Sequence, residues 1–248
     1  MKSLENLFKN LSIYSKRKRN NNDNVEILPI TKKTKLIGFN IISENFNEKT
    51  GVYTYRGHFT TKSIKEFMYE SLHSSSMRRE TSGEVFILKG EIKRIYTGTR
   101  NQVSSIPAVP ASYHVHPSPK NIMNIDDLFS VPSEQDIWYY LTSFPNTQIN
   151  FIFDTNGVYI VDITNALITP NGQLKDNPGN ILKKYTNVLS KFNTTPNADN
   201  YPYYTGIDIN EFIDMVETET GGLKIQYIRY DEQNISNVIV DINTVNAL

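Results

Sequence analysis

The sequence predicts an α/β (α+β) fold in which helices pack on a β-sheet. Segments with the apolar alternation of strands and segments with the apolar spacing of helices follow one another irregularly along the 248 residues. This length is sufficient to bury a sizeable core. No internal repeat is visible, so we expect one large domain or a domain with an extension.

The composition excludes several classes of protein. The absence of cysteine excludes a disulfide scaffold, a Cys-ligated zinc finger, an iron–sulfur protein and a thiol enzyme. The 26 basic and 26 acidic side chains cancel, so nucleic acid is not an expected general partner. Any transition-metal site must therefore combine carboxylates with histidine, and the four histidines are His58, His73, His114 and His116.

Residues 1–34 are predicted to form a flexible basic and Asn-rich segment. The apolar spacing of residues 4–11 allows a short amphipathic helix. The basic run 16–19 is either part of a solvated linker or a nuclear-import or phosphate-contacting segment. No apolar run reaches the ~18–20 residues of a membrane span, and the first residues lack the apolar core of a signal peptide. We therefore expect an intracellular location, cytoplasmic or nuclear, and no membrane partner.

The first part of the globular region is predicted to contain two strands, a helix and further strand material. Ser63 and Glu66 have the spacing of a capping box, which predicts a helix start at Ser63 and an end near residue 79 or 80. The segment 101–112 is interrupted by prolines and is expected to be a loop or an edge segment. Strands are predicted at 35–43, 51–60 and, around Gly90, at 84–96.

The second part alternates strands with helices. Asp154 to Gly157 separates two apolar runs and contains Asn-Gly, which predicts a hairpin. The helix that begins at Ser133 is expected to turn Ile137, Trp138 and Leu141 inward. Strands are predicted at 113–116, 149–153, 158–163 and 223–230, and helices at 133–143, 180–192 and 209–217.

The sharpest chemical feature is His114-Val115-His116. Alternate residues of a strand point to the same face, so the two imidazoles can converge on one metal ion. Asp136 is the best candidate for a third ligand, because it lies in the first turn of the helix that Ser133 opens. Each signal alone also has a structural interpretation: Ser133 and Asp136 resemble a helix cap, and a His-x-His pair is common by chance.

In combination, these residues resemble the motif of the JAMM (MPN/JAB) zinc metalloproteases. That motif is an upstream Glu, then His-x-His-Pro as in 114–117, then Ser-x-x-Asp as in 133–136. The resemblance covers residues 35–170 and implies a mixed, curved sheet flanked by helices, with a layering like that of cytidine deaminases. Residues 171–248 are then expected to be a C-terminal α/β extension packed on this domain.

The resemblance also implies an activity. His114, His116 and Asp136 would bind Zn²⁺, with water in the fourth position, and Ser133 would hydrogen-bond the developing oxyanion. The protein would then hydrolyse an isopeptide or peptide bond, with ubiquitin or a ubiquitin-like conjugate as the expected substrate. The alternative is a non-catalytic MPN-type interaction or scaffold module in a larger assembly.

The family's general base is a Glu placed where a helix gives way to an apolar strand. Glu80 fits that position, since Gly83 and an apolar run follow it, and we favour Glu80. Glu84 is the alternative, because Gly90 lies further along the same strand. Each Glu also has a structural interpretation as a solvated residue at the junction.

Two intervals depart from the family pattern. The interval from Glu80 to His114 is shorter than in many members, which implies a trimmed connection or a base elsewhere. Sixteen residues, 117–132, separate His116 from Ser133, which is longer than usual in the family. The additional length must loop out and return, at little entropic cost. Insertions of this kind resemble those of JAMM-like proteins of large DNA viruses, so the chain is expected to be virus-encoded and to act in a host cell.

Overall fold

The computed structural model describes residues 38–99, 102–104, 109–117, 128–192, 194–196, 202–205, 207–230 and 238–246. The segment 1–34, with its expected helix and basic run, lies outside these residues. So does most of the interval between His116 and Ser133.

The described residues form helices and strands in an irregular alternation, as the sequence predicts. The helices are α1 (Thr61–Met77), α2 (Glu134–Ser143), α3 (Pro178–Leu189) and α4 (Ile209–Thr220), with a short 3₁₀ turn at Asn165–Leu167. The strands are β1 (Phe39–Asn47), β2 (Val52–Phe59), β3 (Thr81–Phe86), β4 (Glu91–Thr97), β5 (Ala111–Val115), β6 (Leu128–Phe129), β7 (Ile149–Phe153), β8 (Gly157–Ile163), β9 (Thr194–Pro196), β10 (Pro202–Thr205), β11 (Leu223–Arg229) and β12 (Val240–Thr244).

A six-stranded mixed sheet, in the order β11-β8-β7-β5-β3-β4, is the centre of the fold. The neighbours β5 and β7 are parallel, and the other neighbours are antiparallel. Among the described residues, two smaller sheets have the orders β1-β2-β12 and β6-β10-β9. This mixture of helices and sheets confirms the predicted fold class.

The two faces of the central sheet are covered by different elements, because alternate residues of its buried strands point in opposite directions. Phe151 and Phe153 of β7 pack with α1 and with β1, β2 and β12. Ile152, between them, packs with α2, α3 and α4. Both faces are therefore covered, which explains why every residue of β7 and β8 is buried and why most of them are apolar instead of alternating; Asn150 and Asp162 are the polar exceptions.

The region after residue 170 is an integral part of the sheets. Strand β11 pairs with β8 over the full length of both strands, from Leu223–Ile163 to Arg229–Gly157. Strand β12 pairs with β2 and completes the second sheet. Residues 35–248 accordingly form one compact unit.

Several local predictions are confirmed and two are wrong. The hairpin β7–β8 forms across Asp154 to Gly157, and Ser133 caps α2. The α1 start predicted at Ser63 is wrong: Thr60 is the cap, and the Ser63 hydroxyl donates to the carbonyl of Gly38. Trp138 does not face inward, since 41% of its surface is exposed. Its position two residues after Asp136 carries it to the outer side of α2.

No helix in the described part of the chain has both the length and the apolarity needed to cross a bilayer.

Candidate metal centre

His114 and His116 lie at the carboxyl end of β5. His114 is within the strand, beside Ser82 of β3, and Val115 between the two histidines packs into the opposite face of the sheet. The backbone N–H of His116 donates to the carbonyl of Phe153, so the parallel pairing with β7 continues past the last residue of β5. The extended backbone therefore directs both imidazoles to one face, as the i, i+2 spacing predicts.

Asp136 is brought to the histidines by the cap of α2. The Ser133 hydroxyl accepts from the N–H of Asp136 at 3.2 Å, and the N–H of Ser133 donates to Asp136 Oδ2 at 2.6 Å. This reciprocal capping box fixes the carboxylate at the first turn, where the positive end of the helix dipole stabilises its charge. The cap and the ligand interpretation of Asp136 are thus compatible, because the same carboxylate serves both.

The three side chains converge on one point. His114 Nε2 lies 3.0 Å from His116 Nε2 and 3.1 Å from Asp136 Oδ1, and His116 Nε2 lies 3.3 Å from Asp136 Oδ2. Ligands about 2.0–2.1 Å from a tetrahedral ion are separated from one another by about 3.3 Å. The described His114, His116 and Asp136 can therefore hold a metal ion.

Burial and charge act against each other at this site. Burial raises the pKa of Asp136, but the charge of His114 and hydrogen bonds from both histidines outweigh burial and hold that pKa well below its usual range. Burial lowers the pKa of His116, but Asp136 and the charge of Glu80 outweigh it, so the net shift is upward. Asp136 is therefore ionised at neutral pH and available as a ligand. The side chains of His114 and Asp136 keep 13% and 15% of their surfaces exposed, so water can reach the cluster.

The two candidate bases lie at different distances from this cluster. Glu80 precedes β3, and continuing the antiparallel register from the Ser82–His114 pair places it opposite His116. It is buried, and its backbone is held by bonds to Gly98 and Thr99. Glu84 is four residues further along, about 13 Å away on an extended strand, and pairs with Ser112 instead.

Two polar residues at the site have no counterpart in the motif. The ring Nδ1 of His116 is 2.9 Å from Ser130 Oγ and 3.2 Å from the Ser130 carbonyl oxygen. Asp154 lies at the start of the β7–β8 turn. Burial raises its pKa to about 6, although backbone hydrogen bonds, including one from Ser130, and the charge of His116 lower it. The sequence indicates Asp154 only as a turn residue, and no sequence pattern marks Ser130.

The other two histidines have structural surroundings. His58 Nε2 is 3.0 Å from the side-chain amide of Asn40 across the β1–β2 pair. The ring of His73 stacks on Tyr69 one helical turn away. Neither belongs to the cluster of His114, His116 and Asp136, as expected.

Comparisons with protein-family models, with curated proteins and with solved structures find no match to this chain.

Proposed function

We propose that the protein is a zinc-dependent metallo-isopeptidase or protease of the JAMM type. The observation that carries this proposal is the convergence of His114, His116 and Asp136 on one point with the separations of a tetrahedral coordination sphere. Three protein ligands beside a water-accessible position are typical of catalytic zinc sites, whereas structural sites use four.

The donor set fits zinc. Imidazole nitrogen is a borderline ligand and carboxylate oxygen a hard one, and zinc binds both; the chain offers no thiolate to compete. When bound, zinc supplies Lewis-acid chemistry: it lowers the pKa of water toward ~7 and polarises a carbonyl group.

Glu80 is the proposed general base and acid. Two observations support this role: the β3–β5 register continues to Glu80 opposite His116, and, while burial lowers the pKa of His116, Asp136 and the charge of Glu80 raise it. In that position Glu80 can take a proton from the attacking water and deliver it to the leaving amine. Its backbone bonds to Gly98 and Thr99 fix the residue, so little reorganisation is needed during proton transfer.

Ser133 is the proposed oxyanion donor. Its oxygen accepts one hydrogen bond as the cap of α2, so the hydroxyl proton stays available to a substrate oxygen. One donor of this kind contributes ~10²–10³ in rate. The N-terminus of α2 beside it favours developing negative charge.

The substrate class follows from the resemblance to the JAMM motif. We propose a protein substrate joined by an isopeptide bond, with ubiquitin or a ubiquitin-like modifier as the first class to test. The non-catalytic alternative, a scaffold module, predicts a metal site without turnover.

The test combines a metal measurement with a cleavage assay. Bound zinc is measured by mass spectrometry, and lysine-linked di-ubiquitin is the substrate, for the wild type, Glu80→Gln, Glu84→Gln and His116→Ala. We expect one zinc per chain and cleavage for the wild type and for Glu84→Gln. Glu80→Gln should keep its zinc and lose ~10²-fold or more of its turnover. His116→Ala should lose both.

Four results contradict the proposal at different levels. If the wild type contains no stoichiometric zinc, the assignment of the zinc site is contradicted. Full turnover in Glu80→Gln removes the assigned base, and loss of turnover in Glu84→Gln with retained zinc transfers that role to Glu84. Stoichiometric zinc without cleavage of di-ubiquitin or of a ubiquitin-like conjugate supports the scaffold alternative.

A further inference from the structure

The ring of His116 is held from its far side. Its Nε2 faces His114 and Asp136, while its Nδ1 lies 2.9 Å from Ser130 Oγ and 3.2 Å from the Ser130 carbonyl oxygen. When Nε2 binds a metal, Nδ1 carries the ring proton and donates a hydrogen bond to Ser130. Metal-binding histidines nearly always donate this second N–H, because the bond fixes the tautomer and the orientation of the ring.

Ser130 lies near the end of the long interval between His116 and Ser133. The chain returns through β6, whose backbone pairs with β10. Phe129 packs edge-on against Tyr227, and the carbonyl of Pro132 accepts from the Tyr185 hydroxyl. The residues on both sides of Ser130 are thus anchored to elements from the last third of the chain.

Asp154 anchors Ser130 itself. Burial raises the pKa of Asp154, and the backbone of Ser130 is among the groups that lower it; the Tyr227 ring that packs against Phe129 carries the hydroxyl that bonds Asp154. Both Asp154 and Ser130 are 3% exposed. Asp154 Oδ1 also accepts from the N–H groups of Asn156 and Gly157, at 2.8 and 2.6 Å, and from the Tyr227 hydroxyl at 3.2 Å.

A turn residue needs only the bonds from the N–H groups of Asn156 and Gly157. The bonds to Asn156 and Gly157 are the local bonds by which Asp commonly closes a tight turn. The bonds from Ser130 and Tyr227 come from other parts of the chain. A buried carboxylate costs free energy unless it is well bonded, and here the additional bonds connect the turn to the residue that holds His116.

We propose that Asp154 and Ser130 form a positioning chain that fixes the ring of His116 for metal binding. This inference rests on the metal site of the proposed function and goes beyond it, because it assigns a role to Ser130, in the described end of the 117–132 interval. Ser130 acts on His116 directly, and Asp154 acts through Ser130. Neither contacts the substrate.

The experiment measures metal affinity rather than cleavage. Metal-free wild type, Ser130→Ala and Asp154→Asn are titrated with Co²⁺, whose visible absorption reports both the affinity and the coordination geometry. Ser112→Ala is the matched serine control, because Ser112 lies on β5 and bonds Asn150 instead. Asp162→Asn is the matched aspartate control: Asp162 is equally buried, but it bonds Asn243 on β12.

We expect the Co²⁺ affinity of Asp154→Asn and Ser130→Ala to fall by about tenfold, the lower end of the effect of an outer-shell partner. The effect of Ser130→Ala stays at that end because the carbonyl of residue 130 remains beside Nδ1. Both controls should bind within twofold of the wild type. If either Ser130→Ala or Asp154→Asn also binds within twofold, the positioning chain is refuted.

A second measurement separates this inference from the proposed function and from simple misfolding. In metal-free wild type, the Nδ1 proton of His116 should give an exchange-protected signal in the proton NMR spectrum. That signal should exchange clearly faster in Ser130→Ala, which keeps only the carbonyl acceptor, and should be unchanged in Ser112→Ala and Asp162→Asn. Its absence from the wild type overturns the chain whether or not metal binds. If the wild type shows the protected signal but binds no metal, the proposed function is contradicted and the contact between Ser130 and His116 is not.

Discussion

Two carboxylates, Glu70 buried and Asp136 partly buried, lie on opposite faces of the central sheet. Glu70, on α1, faces Thr81 of β3 and Tyr113 of β5, whereas Asp136, on α2, faces His114 and His116 at the other side. Thr81 and Tyr113 are the immediate neighbours of Glu80 and His114 in sequence. Because consecutive residues of a strand point to opposite faces of the sheet, residues next to each other in sequence belong to two different clusters.

The Glu70 cluster is complete. Glu70 Oε1 accepts from Thr81, from Arg94 Nε and from the Tyr113 hydroxyl, at 2.8, 2.7 and 3.1 Å, and Oε2 accepts from Arg94 Nη2 at 2.6 Å. Every one of these partners carries a proton, and Arg94 carries a permanent positive charge. Nothing further is needed to balance the buried charge.

The Asp136 cluster is different because its partners can present lone pairs. The ring nitrogens of His114 and His116 lie 3.0 Å apart, and both are close to the carboxylate. Two imidazole nitrogens and an ionised carboxylate that converge on one point can hold a metal ion. The comparison indicates that the kind of atom facing a carboxylate, rather than its burial, distinguishes the Glu70 cluster from this candidate metal centre.

The largest expected effect is on metal binding. His116→Ala should abolish stoichiometric zinc, because two remaining ligands do not hold the ion firmly. Glu70→Gln should keep full zinc occupancy, since it changes only the opposite face. Equal zinc content in the two variants, measured by mass spectrometry, would break the distinction between the clusters.

The next effect is on stability. Glu70→Ala leaves the buried hydroxyls of Thr81 and Tyr113 without their acceptor and the more exposed Arg94 without its partner, so we expect a loss of about 3 kcal/mol of unfolding free energy. Burial raises the pKa of Glu70, but bonds from Arg94 and Thr81 outweigh it and lower the pKa below 4.5. The stabilisation is therefore present above pH 4.5 and is lost as the pH falls through the folded pKa. Urea unfolding should show the difference from wild type shrinking in acid; a constant difference contradicts this account.

Asp162 should behave in the opposite way. Burial raises its pKa to about 6 from 3.8, although the charge of Lys224 and bonds from Asn243 lower it. The folded protein holds this proton more tightly, so stability is full below pH 3.8 and is lost as the pH rises through 6. The loss is on the order of 3 kcal/mol. Asp162→Asn cannot titrate, so its stability relative to wild type should increase between pH 4 and 7. A pH-independent difference in thermal or urea unfolding would rule this out.

The smallest effect concerns the cap that positions Asp136. Ser133→Ala removes the oxygen that accepts from the N–H of Asp136 and should cost about 1 kcal/mol of unfolding free energy. Ser133→Thr keeps a capping oxygen and should cost less. Urea unfolding of the two variants checks the order, and a Thr variant as unstable as the Ala variant would show that the cap is not the cause.

The sequence was sufficient to predict the parts of the site that depend on local geometry. The i, i+2 spacing of His114 and His116 fixes a shared face, and the spacing of Ser133 and Asp136 fixes a helix start. The structure brings these predicted ligands together. The Asn-Gly pair likewise predicts the β7–β8 hairpin, because both residues tolerate the turn backbone.

The remaining parts depend on contacts between distant segments. Ser130 reaches His116 only because β6 pairs with β10, more than seventy residues later, and no local pattern encodes that pairing. Strand β12 was not predicted, although Val240, Ile242 and Thr244 are buried with an apolar alternation at the first two. The start of α1 was misplaced because Thr60 and Ser63 both have capping side chains, and the tertiary bond of Ser63 to Gly38 decides between them.

The central claim is that His114, His116 and Asp136 hold one divalent metal ion. The most direct measurement is a Co²⁺ titration of the metal-free protein, followed by visible absorption, for the wild type and Asp136→Asn. The account predicts one equivalent bound by the wild type, with the strong absorption of a tetrahedral site, and no such band in Asp136→Asn. A wild type that shows no band, or an Asp136→Asn variant that binds as the wild type does, would contradict it.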